Sequence, residues 1–342
     1  MTMTAEEDQE FRSAVDGEQR DKRAVDGATF ILDAPETVPA ILGSDSEILW
    51  AAGEPLLIVG PSGVGKTTAS GQLVRGRLGL EALVLGLPVT AGQGRVLYVA
   101  ADRPRQAARA FRRIFTEDDR DVLHDRLIVW RGPLPFDIGR EPDKLALFIA
   151  EHDADTVVLD SLTNVALDLV KDDTGARVNH ALQATIAAGI EVIANHHQRK
   201  ASASNPKPRT LNDVYGSGWL VAGAGSVLLL WGEAGDPILD LSQLKAPIGE
   251  GATMRVLIDH EHGTIERQGD LDPAVLLAKA GSLTAQNAAR LLYEVDKPSR
   301  AQVEKARRQL ERLTRCGMAD RQDDPVTGVV YRHLSVTDHV TA

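Results

Sequence analysis

The sequence predicts an α/β fold: a mostly parallel sheet with helices on both faces and antiparallel late strands, followed by a C-terminal winged-helix-like domain. Three observations carry this. Short runs rich in Val, Ile and Leu alternate with helix-length segments between residues 56 and 194. Glycine-rich or polar residues recur directly after those runs. Beyond residue 271 the pattern changes to helices and then to two short extended segments flanking Pro325 and Gly328.

A chain of 342 residues has room for one large domain and a smaller one. Residues 1–28 are charged, without apolar periodicity, and are expected to be a disordered acidic tail. Residues 29–268 form the sheet domain and 269–342 the C-terminal domain. Hydrophobic residues make up 43% and aromatic residues 4%, so the core must be mostly aliphatic. The lone Cys316 excludes an intramolecular disulfide and fits a reducing cytoplasm. No apolar run reaches membrane-span length, and residues 1–10 are too polar for a signal peptide. The expected location is therefore cytoplasmic, with no membrane partner. A net charge of −11 argues against a surface that coats nucleic acid throughout, so such a contact would need a local basic patch.

Residues 29–33 read as a short strand, and 38–50 lead into a turn ending at Pro55. Residues 56–59 form a strand and 67–78 a helix. Residues 95–101 are a near-continuous apolar run, as expected for a parallel strand covered on both faces. Pro104 marks the start of a helix over 106–115. Strands at 127–130, 156–160 and 190–194 alternate with helices at 143–152 and 178–189. Residues 199–212, rich in Ser, Pro, Asn and Lys, read as a mobile loop. A small-residue helix or turn opens at Gly216 and a strand covers 225–231. Strands at 238–244 and 254–259, separated by short turns, add antiparallel to the sheet edge. Helices at 273–280, 284–293 and 299–316 follow, the last capped by Ser299 and stopped by Gly317. Residues 318–322 and 329–334 make a hairpin, the wing.

Gly60, Pro61, Ser62, Gly63, Val64, Gly65, Lys66 and Thr67 read G-x-x-x-x-G-K-T between a strand and a helix, the setting that this phosphate-binding pattern requires. Glycines let the backbone wrap a phosphate with inward N–H groups, and the helix N-terminus adds its dipole. Lys66 should reach the β/γ-phosphates and Thr67 should ligate Mg²⁺, with Thr68 completing the cradle. The implied cofactors are ATP and Mg²⁺. Asp160 ends an apolar strand, where an acid holds the metal through its water shell; a turn or cap residue is the rival. Asp102 ends the strand after the phosphate-loop helix and is placed to orient or deprotonate water; a helix cap is the rival. His196 and His197 follow a buried strand and must point to opposite faces. One is expected to contact the γ-phosphate; for the other a satisfied structural histidine is an alternative, and no ligand set completes a zinc site. Arg199, Lys200, Lys207 and Arg209 lie in a stretch without acids, either a DNA-phosphate-binding loop or a solvated linker. In the helix at 299–316, Val303, Ala306, Leu310 and Leu313 share one face and arginines populate the rest, with Glu304 and Glu311 interrupting. DNA reading and protein docking both fit it.

Together these residues resemble the RecA/DnaB-like P-loop ATPases, and within them the RepA-like hexameric helicases and related AAA family ATPases of phages, plasmids and integrated elements. The matching stretches are residues 60–68, 96–104, 157–161, 192–200, 216–232 and 243–251, within a resemblance covering 38–265. The resemblance implies a RecA-like core, ATP hydrolysis between subunits of a homo-hexameric ring, a histidine-containing sensor and loops that bind single-stranded DNA. It makes Lys66 and Thr67 the phosphate-loop pair, Asp160 the magnesium acid, Asp102 the catalytic acid and His196–His197 the sensor. The catalytic acid of the family is usually glutamate, so Asp102, one methylene shorter, implies slower hydrolysis. Tyr215 stands where such proteins often carry an arginine that reaches the neighbouring nucleotide; that cation then falls to Lys245. The implied activity is a DNA-dependent ATPase and replicative helicase; the C-terminal domain, outside the resemblance, offers a docking place for a replication protein. The rival is a DNA-binding or helicase-loading regulatory ATPase that uses nucleotide as an assembly switch. A small-molecule kinase is disfavoured, because no acceptor motif is present.

Overall fold

The structure, a computed structural model, describes residues 24–45, 47–200, 205, 210–268, 273–293, 295–315, 318–324 and 328–334. Most of the acidic tail, Cys316, Gly317, Lys207 and Arg209 lie outside the described residues. The first element is a helix, α1 (Gly27–Leu32), which corrects the strand expected at 29–33. Asp26 decides this: its carboxylate accepts the Thr29 amide at 3.0 Å and the Thr29 hydroxyl at 2.7 Å, capping a helical turn.

A hairpin, β1 (Ala40–Ser44) and β2 (Glu47–Ala51), leads into β3 (Leu56–Gly60) and α2 (Lys66–Arg77). A two-stranded ribbon, β4 (Leu83–Val84) with β5 (Leu87–Pro88), precedes β6 (Arg95–Ala100), α3 (Pro104–Ile114), α4 (Arg120–Arg126) and β7 (Leu127–Arg131). Then come α5 (Lys144–Ala150), β8 (Ala154–Asp160), α6 (Leu162–Val165), α7 (Asp172–Ala187) and β9 (Glu191–His197). The domain closes with α8 (Trp219–Ala222), β10 (Ser226–Trp231), β11 (Ile238–Lys245), β12 (Thr253–Asp259) and β13 (Thr264–Gln268), the last not foreseen from the sequence.

These strands build one nine-stranded sheet in the order β13-β12-β11-β10-β3-β9-β8-β6-β7. Every pairing from β10 to β7 is parallel, and those from β10 to β13 are antiparallel. The period-two alternation of β6 shows why a continuous apolar run was needed. Val96, Tyr98 and Ala100 face α2 and α3, packing with Leu73, Val74 and Phe111. Leu97, Val99 and Ala101 face α5 and α7, packing with Leu145, Ile149 and Val178. With both faces covered, polar side chains of the central strands are pushed to the strand ends. No helix among the described residues is long and apolar enough to cross a membrane.

The C-terminal part contains α9 (Pro273–Ala280), β14 (Ser282–Thr284), α10 (Ala285–Leu292), α11 (Arg300–Arg315), β15 (Ala319–Asp324) and β16 (Gly328–His333). The expected hairpin is β15–β16, and β14 pairs with β16 to make three antiparallel strands. Leu277, Ala289, Ala306, Leu310 and Tyr331 form a core of their own.

Candidate nucleotide site

Parallel register brings the strand ends to one level. Gly60 pairs with His197, Asp160 with Asn195, and Ala100 with Asp160. The histidine strand β9 therefore lies between the phosphate-loop strand β3 and the acid strand β8. Beyond β3 the chain turns through Gly63 (φ 80°) and Gly65 (φ 98°), left-handed values that side-chain-bearing residues resist. At Gly60 the constraint is space, since a Cβ there would collide with the Leu230 carbonyl of β10. The resulting cleft, about 190 Å³, is lined by Ser62, Gly63, Lys66, Thr67, Asp102, Asp160 and His197, among others.

Lys66 Nζ donates to the loop's own carbonyls, Gly60 O at 3.0 Å and Pro61 O at 2.6 Å. Burial pushes its pKa down to about 8 against the opposing pull of Asp160. A phosphate would add a second counter-charge to that of Asp160. Asp160 Oδ2 accepts from Thr67 Oγ1 at 3.0 Å and from Tyr98 OH at 2.6 Å. The Thr67 hydroxyl and Asp160 carboxylate are adjacent hard oxygen donors. They fit Mg²⁺, which takes one or two carboxylates together with substrate phosphates and water. Asp102 projects an exposed carboxylate at the cleft rim, 3.1 Å from Arg103 Nε. Its rival role as a helix cap is not taken, because the cap position of α3 is Arg103 and no side chain caps it.

The two histidines divide as the strand alternation requires. His196 is fully buried, with Nε2 donating to the Tyr215 carbonyl at 2.7 Å. Burial pushes its pKa down to about 4. His197 lines the cleft; its pKa is lowered by burial first and then by the Lys66 charge, with Asp160 and Asp102 opposing. Directly after it the chain is zipped to a returning segment. Gln198 bridges Val214, the Arg199 amide donates to Asp213 O at 2.8 Å, and the Tyr215 amide donates to His197 O at 3.1 Å. Arg199 and Lys200 are exposed at the base of this loop. They line a second cleft of about 970 Å³ with Pro61, Ser62, Tyr215 and Trp231.

Lys245, at the end of β11, stands apart from the phosphate cleft. Its ammonium donates to the last carbonyls of α8, Val221 O at 3.3 Å and Ala222 O at 2.7 Å. Three site residues escaped the sequence reading. Tyr98 is the one polar side chain inside the run at 96–101, and a buried phenol needs a partner, so its signal was present. Asn195 donates to Ser70 Oγ at 3.0 Å, and Ser70 donates to Thr67 O at 3.2 Å, bracing the phosphate-loop helix against β9. Nothing in the local sequence links the last two.

His196 sets a pH dependence. Its folded pKa near 4 lies below the ordinary 6.5, so between those values the unfolded chain binds more proton and stability falls as pH is lowered. The expected loss is on the order of 3 kcal/mol across that window. Urea midpoints measured from pH 7 to 4 should fall less in His196→Asn than in the wild type; equal pH slopes would contradict the assignment.

The comparison with known proteins agrees with this geometry. No curated protein matches the chain. A family model described as an AAA domain matches residues 31–203, just over half of the chain, and the chain belongs to that family of nucleotide-binding ATPase domains.

Proposed function

We propose that this protein is a RecA-like motor that hydrolyses ATP with Mg²⁺, and that it works as a ring-forming, DNA-dependent helicase in the replication of a phage, plasmid or integrated element. The observation that supports this best is the convergence of four strand ends on one cleft, with a basic loop leaving directly from the strand that carries His197. Lys66 and the loop amides would bind the triphosphate, and Thr67 and Asp160 would hold Mg²⁺, whose chemistry there would be to offset the charge of the phosphates. Asp102 positions water at the γ-phosphate. His197 contacts that phosphate, and His196, bonded to Tyr215, carries the change to the loop containing Arg199, Lys200, Lys207 and Arg209. Cation–phosphate contacts to single-stranded DNA then follow the nucleotide state.

Lys245 supplies the cation that reaches a neighbouring subunit's nucleotide. Two of its three protons already serve α8, which fixes the side chain and leaves one donor. In the C-terminal winged-helix-like domain, Arg307 of α11 is bonded to Glu304 and Glu311, each at 2.6 Å. That partial neutralisation favours docking of a replication protein over DNA reading. A regulatory reading, with ATP as an assembly switch, draws on Asp102. Its carboxylate is short, exposed and paired with Arg103, an arrangement suited to slow hydrolysis.

Hydrolysis measured with and without single-stranded DNA, with Lys66→Ala as the blank, separates the two readings. Severalfold stimulation is expected; no stimulation together with no strand separation would leave only the switch. In the same assay Lys245→Ala should lose turnover while ATP binding stays close to wild type, and unchanged turnover would remove its trans role.

A further inference from the structure

We propose that Tyr98 is a positioning residue that fixes the Asp160 carboxylate for its divalent ion, an inference that rests on the Mg²⁺–nucleotide reading of the cleft. Tyr98 is fully buried within β6, between Leu97 and Val99. Phenylalanine would fill this place without bringing a hydroxyl that must be desolvated, so the hydroxyl needs a reason. Its partner is Asp160, whose Oδ2 lies 2.6 Å away. A phenol donating to a carboxylate makes a charge-assisted bond, stronger than one between neutral groups.

The ring itself is held. Phe111 of α3 meets it edge-on, with centroids 4.7 Å apart at 69°, and Phe115 packs behind Phe111 at 5.6 Å. The hydroxyl is therefore presented from a rigid strand and a braced ring. Its role differs from that of Thr67, which donates to the same oxygen at 3.0 Å. Thr67 carries a second duty, because its hydroxyl would present a lone pair to the ion while its proton stays available to Asp160. Tyr98 has no such second duty. Its bond can persist when the ion binds and keep the carboxylate from rotating away. Groups that orient a metal-binding carboxylate in this way typically contribute about 10- to 100-fold in metal affinity.

The test uses the full chain and a fluorescent ATP analogue, titrated in EDTA and at rising Mg²⁺, with wild type, Tyr98→Phe, Asp160→Asn and the double variant. In Tyr98→Phe, affinity in EDTA should stay at the wild-type value, which also reports an intact fold. The Mg²⁺ concentration for half-maximal tightening should rise about tenfold or more. The double variant should show no shift in Mg²⁺ dependence beyond that of Asp160→Asn alone, because the hydroxyl reaches the ion through that carboxylate. A purely structural role would weaken binding equally in EDTA and in Mg²⁺, and that result overturns the proposal, as does an unshifted Mg²⁺ dependence. Should Tyr98→Phe not fold, Phe111→Leu, which frees the ring but keeps the hydroxyl, is expected to shift the Mg²⁺ dependence in the same direction by less. An unshifted curve there overturns the proposal equally. A wild type whose affinity ignores Mg²⁺ would remove the parent reading as well, which separates the two failures.

Discussion

Asp160 Oδ2 accepts hydrogen bonds from Thr67 and Tyr98, groups that belong to α2 and β6. This one carboxylate oxygen ties the phosphate-loop helix to two strands of the sheet. Its position follows from a larger constraint. The central strands are buried on both faces, so their interior positions admit aliphatic residues and few others. Charge can enter only where the strands stop. Parallel register then places those stops side by side, and Gly60, Asp102, Asp160 and His197 become neighbours although they are far apart in sequence.

Lys66 is buried and donates to two neutral carbonyls of its own loop, and burial draws its pKa down to about 8 against the pull of Asp160. A triphosphate offers this ammonium a better set of acceptors than Gly60 and Pro61 do. The neutral, buried His196 makes the opposite contribution, a polar link that stays uncharged near neutral pH and joins β9 to the Tyr215 backbone. On the cleft face, His197 is joined to the segment at Arg199 by the antiparallel zip between residues 197–199 and 213–215.

Much of this was legible in the sequence because burial leaves a compositional trace. The runs at 56–59, 95–101 and 156–160 read as covered parallel strands, and the G-x-x-x-x-G-K-T pattern between strand and helix pointed to the cradle. The division of labour between His196 and His197 followed from strand alternation alone. What could not be read depended on contacts distant in sequence. The Tyr98–Asp160 bond spans 62 residues and the Asn195–Ser70 bond spans 125. Local reading also failed at residues 29–33, where an apolar triplet suggested a strand and the Asp26 cap made a helix. The place of Lys245 in a late motif is all that its sequence position offers. Its engagement with α8 is a tertiary fact that no spacing discloses.

The central claim is that these strand ends form a single Mg²⁺–nucleotide site. A crystal structure of the protein with Mg²⁺ and a non-hydrolysable ATP analogue tests it most directly. The account predicts that Lys66 Nζ leaves the Gly60 and Pro61 carbonyls for phosphate oxygens. The Thr67 hydroxyl should present a lone pair to the ion beside Asp160, and Asp102 and His197 should face the γ-phosphate. An analogue bound elsewhere, or bound with the Lys66 hydrogen bonds unchanged and no ion at Thr67, would contradict it.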